Sequence, residues 1–226
     1  MIKAVFIDYT GTIMREKNRY SIEMAENIAA NSSVKSVKAV FKIWWVLIGE
    51  LENSCYRDTY RTQEWILKKA ISILKEKYHY TGNSDALISL AHLFWSKSPV
   101  FDDVKDFFEK CHLPIYIITN NGEKYVRIFL EDNGLHCAGI ICGDMVNAYK
   151  PRKELFLKAL QISDCNASDV IHIGDSMKSD VNGAFGAGIS PILLDRSGST
   201  VSDTCKVAYS LTELLPLISG EEDISC

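Results

Sequence analysis

The chain has 226 residues, 47% of them hydrophobic and 24% charged, with a formal net charge of −4. These are the values of an ordinary folded protein with a sizeable core, and they exclude a disordered chain. They give no electrostatic basis for binding nucleic acid or an anionic membrane, so an anionic ligand must be held by local cations.

The first residues, MIKAVFID, turn acidic too soon for a signal peptide. Residues 2–7 form an apolar, largely β-branched run that stops at Asp8 and predicts a strand buried on both faces of a parallel sheet. Residues 15–97 contain no proline and two glycines, Gly49 and Gly82. Val34, Val37, Val40, Phe41, Trp44 and Ile48 recur there at helical spacing, as do Trp65, Ile66, Ala70, Ile73 and Leu74. The segment predicts about four helices in one all-α unit. Its most apolar run, IWWVLI at 43–48, falls far short of the roughly 20 residues that span a bilayer.

Further on, strands are predicted at 114–118, 138–142, 170–173, 191–194 and 206–208. Helices are predicted at 124–132, 151–160, 180–185 and 211–217, with a polar, frayed tail at 220–226. Pro151 is placed in the first turn of its helix, where its missing N–H costs nothing. Strands alternating with helices predict an α/β fold with a doubly wound parallel sheet, whose ligands bind beyond the carboxyl ends of the strands. The seven cysteines, Cys55, Cys111, Cys137, Cys142, Cys165, Cys205 and Cys226, are scattered and none stands at CxxC spacing. They read as reduced thiols of a cytoplasmic protein, not as a disulfide framework or zinc site.

Three strand ends are polar. The first leads into Asp8-Tyr9-Thr10-Gly11-Thr12, the second into Thr119-Asn120-Asn121-Gly122, and the fourth into Gly174-Asp175-Ser176, with Asp180 opening the next helix. Lys150-Pro151 lies between the last two. Together they supply carboxylates for a hard cation, a hydroxyl and an amide for an anion, and one ammonium. Mg²⁺ takes such oxygen ligands, and a metal with a lysine lets a carboxylate attack a charged phosphoryl group.

With these motifs the chain resembles the haloacid dehalogenase superfamily, which is dominated by phosphatases. FIDYTGT, YIITNN, YKPRKELFLKAL and IHIGDSMKSDVNGAFGAG stand in the family's order, the last being the most specific. The resemblance implies a Rossmann-like core at 1–14 and 98–226 with a helical cap at 15–97, hinged near 14–17 and 96–99. It implies that Asp8 attacks phosphorus and forms an aspartyl-phosphate. Mg²⁺ would be held by Asp8, the Thr10 carbonyl and Asp175, with Asp180 near the metal or orienting Lys150. Thr119, with Thr10, Gly11 and Asn120 around it, would contact the phosphoryl group, and Lys150 would pair with it and with Asp8. The implied partner is a small phosphorylated substrate, with no nucleic acid or membrane, in a monomer or homodimer.

One position departs from the family pattern. Most of these phosphatases have a second Asp two residues after the nucleophile, as acid and base for the leaving group; here it is Thr10. General acid–base catalysis contributes about 10²–10⁴-fold. Four readings follow: a substrate whose leaving group needs no proton, a slow phosphatase or one with another acid, a phosphonatase-like enzyme, or a carbon–halogen hydrolase. The last needs no Mg²⁺, against the Asp175 and Asp180 pair. A non-catalytic metabolite-binding relative is the rival from another class. Among other residues, His172 reads as buried and neutral, and Tyr9 as a candidate substrate contact. Trp44 and Trp45 divide between the interior and surface of the cap, an aromatic lip over the site being the alternative. Arg15, Tyr20, Arg57, Tyr60 and Arg61 are cap residues that could meet an anion.

Overall fold

The computed structural model describes residues 1–220; the rest of the tail expected at 220–226, including Cys226, lies outside the described residues. Six parallel strands form one sheet in the order β3-β2-β1-β4-β5-β6. They are β1 (Ala4–Ile7), β2 (Ile115–Thr119), β3 (Gly139–Cys142), β4 (Val170–Gly174), β5 (Ser190–Leu194) and β6 (Lys206–Ala208). β1 is central, pairing with β2 through Val5↔Ile115 and with β4 through Val5↔Ile171.

Every residue of β1 is buried because each face of the sheet meets helices. Val5, Ile7, Ile117 and Ile173 point to the face covered by α5 (Val104–Lys110), α6 (Glu123–Asn133) and α9 (Leu215–Ser219). Ala4, Phe6 and Ile118 point to the face covered by α7 (Lys153–Ser163) and α8 (Asn182–Gly186), where Leu155, Phe156 and Ala184 meet them. Chain order reverses at β1, between β2 and β4, and this is where a doubly wound sheet opens a crevice.

Between β1 and β2 the chain inserts α1 (Arg19–Ala30), α2 (Val37–Ser54), α3 (Gln63–Tyr78) and α4 (Ser84–Lys97). The Asn18 side chain caps α1 by accepting from the Tyr20 N–H at 2.9 Å, and its amide donates to the Ser98 hydroxyl at 2.8 Å. The incoming and outgoing chains therefore lie side by side, joined also by Arg15 N–H to the Pro99 carbonyl at 2.9 Å and an antiparallel bridge between Met14 and Val100. Among the described residues no helix is long and apolar enough to cross a membrane.

Several local expectations shift. α5 was not anticipated: its seven residues bury only Val104 and Phe107, too short a stripe to show periodicity. α7 begins at Lys153, not at 151, because the chain first turns through an Arg152 N–H to Tyr149 carbonyl bond. Asp180 does not open a helix. It sits in a single wide turn, Met177–Val181, where the Val181 N–H reaches back to the Ser176 carbonyl at 3.1 Å, and α8 follows.

Candidate active site

Asp8 stands where β1 ends, its N–H donated to the Ile173 carbonyl of β4 at 2.8 Å. The chain then doubles back in a tight turn: the Ile13 and Met14 N–H groups both donate to the Tyr9 carbonyl. Gly11 permits this turn with φ of +89°, and a Cβ there would lie 2.3 Å from an Asp175 carboxylate oxygen. Gly174, at the end of β4, clears the same kind of space, since its Cβ would lie 2.3 Å from the Asp180 carboxyl carbon. These two glycines let three carboxylates converge: Asp8, Asp175 and Asp180 each offer an oxygen within 4.8 Å of the others.

One cation sits among them. The Lys150 ammonium donates to Asp8 Oδ1 at 2.5 Å and to Asp180 Oδ1 at 2.6 Å, with all three side chains less than 10% exposed. Burial works to lower the Lys150 pKa, but the Asp180 and Asp8 carboxylates outweigh it and hold it above the usual lysine range. Asp180 is pulled down to about 2; burial raises it, but Lys150 and His172 dominate. Asp8 is pushed up to about 6 by burial, against the pull of Lys150. Its second oxygen, Oδ2, is buried with no hydrogen-bond partner among the described residues. Asp175 is exposed to the cavity yet hemmed in by protein; that desolvation, then Asp8 and Asp180, raises it well above the ordinary carboxylate range. Three carboxylates share one ammonium, and the crowding of like charge favours either a proton or a bound cation.

Both oxygens of Asp180 are engaged. Oδ1 takes Lys150 and the His172 ring at 3.0 Å, and Oδ2 accepts the Ser176 N–H at 3.1 Å. Asp180 is thus paired with Lys150 through Oδ1. His172 is fully buried and burial lowers its pKa; its Nε2 meets Asp180, while Nδ1 has no hydrogen-bond partner among the described residues.

Two hydroxyls, one from the turn after β1 and one from the end of β2, meet at Asn121. Thr10 and Thr119 both donate to Asn121 Oδ1, at 2.8 and 3.2 Å, and the Asn121 N–H returns to the Thr119 oxygen at 3.0 Å. Asn121 was not singled out from the sequence, although it stands two residues beyond Thr119. Asn120 lines the same cavity, where its amide donates to Glu52 Oε2 at 2.8 Å and its Oδ1 accepts the Lys150 N–H at 2.7 Å. Gly11 donates its N–H to the Met14 carbonyl at 2.9 Å. Tyr9 is fully buried, its hydroxyl donating to the Trp95 carbonyl of α4 at 2.7 Å, so it ties the inserted helices to β1.

Asp8, Thr10, Thr119, Lys150 and Asp175 line one cavity of about 360 Å³. Its opposite wall is α2, through Trp45, Ile48, Gly49 and Glu52, with Phe94 of α4 beside Trp45 at a ring distance of 6.5 Å. Trp44 is buried inside the inserted helices. Positions 45, 48, 49 and 52 follow helical spacing on one face, the signal that could have found this wall. The arginines and tyrosines offered as anion contacts lie elsewhere. Arg15 pairs with Asp102 at 2.8 Å, Tyr60 donates to Asp144 at 2.7 Å, Arg61 donates to the Tyr60 carbonyl, and Arg57 and Arg19 lie over the Tyr56 and Tyr20 rings.

A family model described as haloacid dehalogenase-like hydrolase matches residues 2–188. A search of curated proteins returned no match. Among solved structures, the L-2-haloacid dehalogenase of Xanthobacter autotrophicus superposes with a TM-score of 0.79 at 15% identity, covering 98% of this chain and 100% of that one. A HAD phosphatase of Thermococcus onnurineus gives 0.68 at 22% identity, over 97% and 99% of the two chains. The magnesium-bound HAD-hydrolase YfnB of Bacillus subtilis gives 0.71 at 19% identity, over 96% and 99%. At these identities the likeness is one of fold, and dehalogenase and phosphatase share it.

Proposed function

The chain belongs to the haloacid dehalogenase-like hydrolase family, and on that premise we propose that it hydrolyses a small phosphorylated metabolite through an aspartyl-phosphate on Asp8. The observation that carries this choice is the excess of negative charge around the nucleophile, three converging carboxylates against one ammonium. Carbon–halogen displacement by Asp8 has no use for that excess. Phosphoryl chemistry does, because the excess suits a divalent cation. The far wall agrees. The inserted segment lines the cavity with Glu16 and Glu52 and with no arginine or lysine among the described residues, a poor host for the carboxylate of a haloacid.

The residues fit Mg²⁺: Asp8 offers the unpartnered Oδ2, Asp175 an exposed carboxylate, and Thr10 its main-chain carbonyl. Bound there, Mg²⁺ would offset the phosphoryl charge and hold the group against Asp8. Asp180, with both oxygens engaged, serves Lys150 in this reading. Lys150 keeps Asp8 oriented and neutralises charge on the transferring group. Thr119 turns its hydroxyl from Asn121 to a phosphoryl oxygen. Residues 15–97 act as the cap that keeps bulk water from the intermediate. The six described free cysteines suit a reducing cytoplasm.

The test compares phosphate release from an aryl phosphate with halide release from a 2-haloacid, each with Mg²⁺ and with chelator, for the native chain and Asp8→Asn. Phosphate release that needs both Mg²⁺ and Asp8 supports the proposal. Halide release that persists in chelator overturns it in favour of dehalogenation.

A further inference from the structure

Thr10 cannot protonate a leaving group: its hydroxyl hydrogen is donated to Asn121 Oδ1, and a threonine hydroxyl has no useful acidity near neutral pH. If the site cleaves ordinary phosphate esters, the proton must come from elsewhere in the cavity. The candidates along its wall are few. Asp8, Asp175 and Asp180 belong to the nucleophile and cation site, while Lys150 and Lys178 are cations. Glu16 and Glu52 remain.

Glu52 differs from Glu16 in being fixed. Its Oε2 accepts from Asn120 Nδ2 at 2.8 Å, and the same Asn120 accepts the Lys150 N–H at 2.7 Å. A chain of two hydrogen bonds therefore registers the α2 carboxyl against the residue whose ammonium holds Asp8. Among the described residues Asn120 is the one hydrogen-bond partner of the Glu52 carboxyl, and it occupies a single oxygen. One turn earlier on the same helix face is Gly49, where an added Cβ would meet nothing within 4 Å. The wall is thus hollow between Trp45 and Glu52, in the cavity that Asp8 also lines.

We propose that Glu52 is the general acid–base of this site, supplying from the inserted helix the proton that position 10 cannot. The inference rests on the phosphoryl-transfer reading above. In the first half-reaction an Asp8 oxygen bonds to phosphorus, the bond from phosphorus to the leaving oxygen breaks, and the Glu52 proton passes to that oxygen, releasing an alcohol. In the second, the Glu52 carboxylate takes a proton from water as the water oxygen bonds to phosphorus. The bond from Asp8 to phosphorus breaks, phosphate departs, and both residues regain their starting forms. Burial raises the Glu52 pKa to about 7, against Asn120 and the more distant Lys150 and Lys178, so both forms are accessible near neutrality.

The experiment measures kcat/KM for a primary alkyl phosphate and an activated aryl phosphate, with the native protein and with Glu52→Gln. For the native protein, the alkyl ester should be cleaved far better than its poor leaving group alone allows. Glu52→Gln should lower kcat/KM for the alkyl ester by about 10²–10⁴-fold and for the aryl ester by about tenfold or less. The aryl ester also reports whether the variant is folded. An equal loss on both esters would make Glu52 a latch between α2 and Asn120 and overturn the assignment. No loss on either, or a native protein already restricted to activated esters, would also overturn it. A native protein that turns over neither ester defeats the phosphoryl-transfer reading itself, and the role of Glu52 falls with it.

Discussion

Among the described residues Lys150 is the one ammonium paired within the three converging carboxylates, and Lys150→Met tests how strongly the site depends on it. The change keeps the length and apolar stem of the side chain and deletes two ion pairs, at 2.5 and 2.6 Å, in which every partner is nearly inaccessible. Removing one member of such a buried set costs about 3–5 kcal/mol, because the remaining charges have lost their counter-ion. The upper value is not reached if Asp8 takes up a proton. Asp8 is already raised to about 6 with Lys150 in place, and each further unit costs about 1.4 kcal/mol. Asp180 keeps His172 and the Ser176 N–H, which limits its share. Without Lys150 the Asp8 carboxyl, already above its unfolded value, loses the charge that pulls it down. Its cost is therefore fully expressed above the folded value and shrinks as pH falls toward the unfolded value. Urea unfolding in chelator should show a midpoint lowered by about 1–2 M at pH near 8, if the slope is about 2–3 kcal/mol per M. The gap from the native chain should narrow by pH near 5. A loss below about 1 kcal/mol, or one independent of pH, would refute the reasoning.

Three further substitutions probe the surroundings. Gly11→Ala combines a φ of +89° with a Cβ 2.3 Å from the Asp175 carboxylate, so it should cost about 1–3 kcal/mol and weaken Mg²⁺ dependence, measured by thermal unfolding and by a metal titration of activity. Asn121→Ala frees the Thr10 and Thr119 hydroxyls; turnover should fall about tenfold or more while stability falls by only about 1–2 kcal/mol, and kinetics beside a urea melt separate the two. Tyr9→Phe leaves the Trp95 carbonyl unpaired and should destabilise by about 1–3 kcal/mol with KM unchanged; a raised KM with unchanged stability would return Tyr9 to the substrate.

Asp8, Thr119 and Asp175 were legible because each closes or follows an apolar run that a buried parallel strand explains, whereas Lys150, well past the end of β3, was legible only through its place before Pro151 in a family motif. Asp8, Thr119, Lys150 and Asp175 all reach one cavity, as ligands do at the carboxyl ends of such a sheet. Partner choice was less legible. Asn120 and Asn121 are adjacent, and nothing in their order reveals that Asn121 gathers the two threonines while Asn120 reaches across to α2. Glu52 lay in a helix whose apolar residues dominate the pattern, and its direction depends on how α2 is rotated over the sheet. The same holds for Trp44 and Trp45, consecutive residues of which one is buried and the other lines the cavity. α5 escaped notice because seven residues hold two buried positions, fewer than a periodic signal needs.

The most direct test of the central claim is to trap the covalent intermediate. The native chain is mixed with a phosphate ester labelled in its phosphoryl group, quenched in acid during turnover and mapped by peptide. The account predicts label on the peptide containing Asp8, stable to acid and released by hydroxylamine, absent from Asp8→Asn and absent in chelator. Sustained phosphate release with no label on that peptide, or the same label in Asp8→Asn, would contradict it.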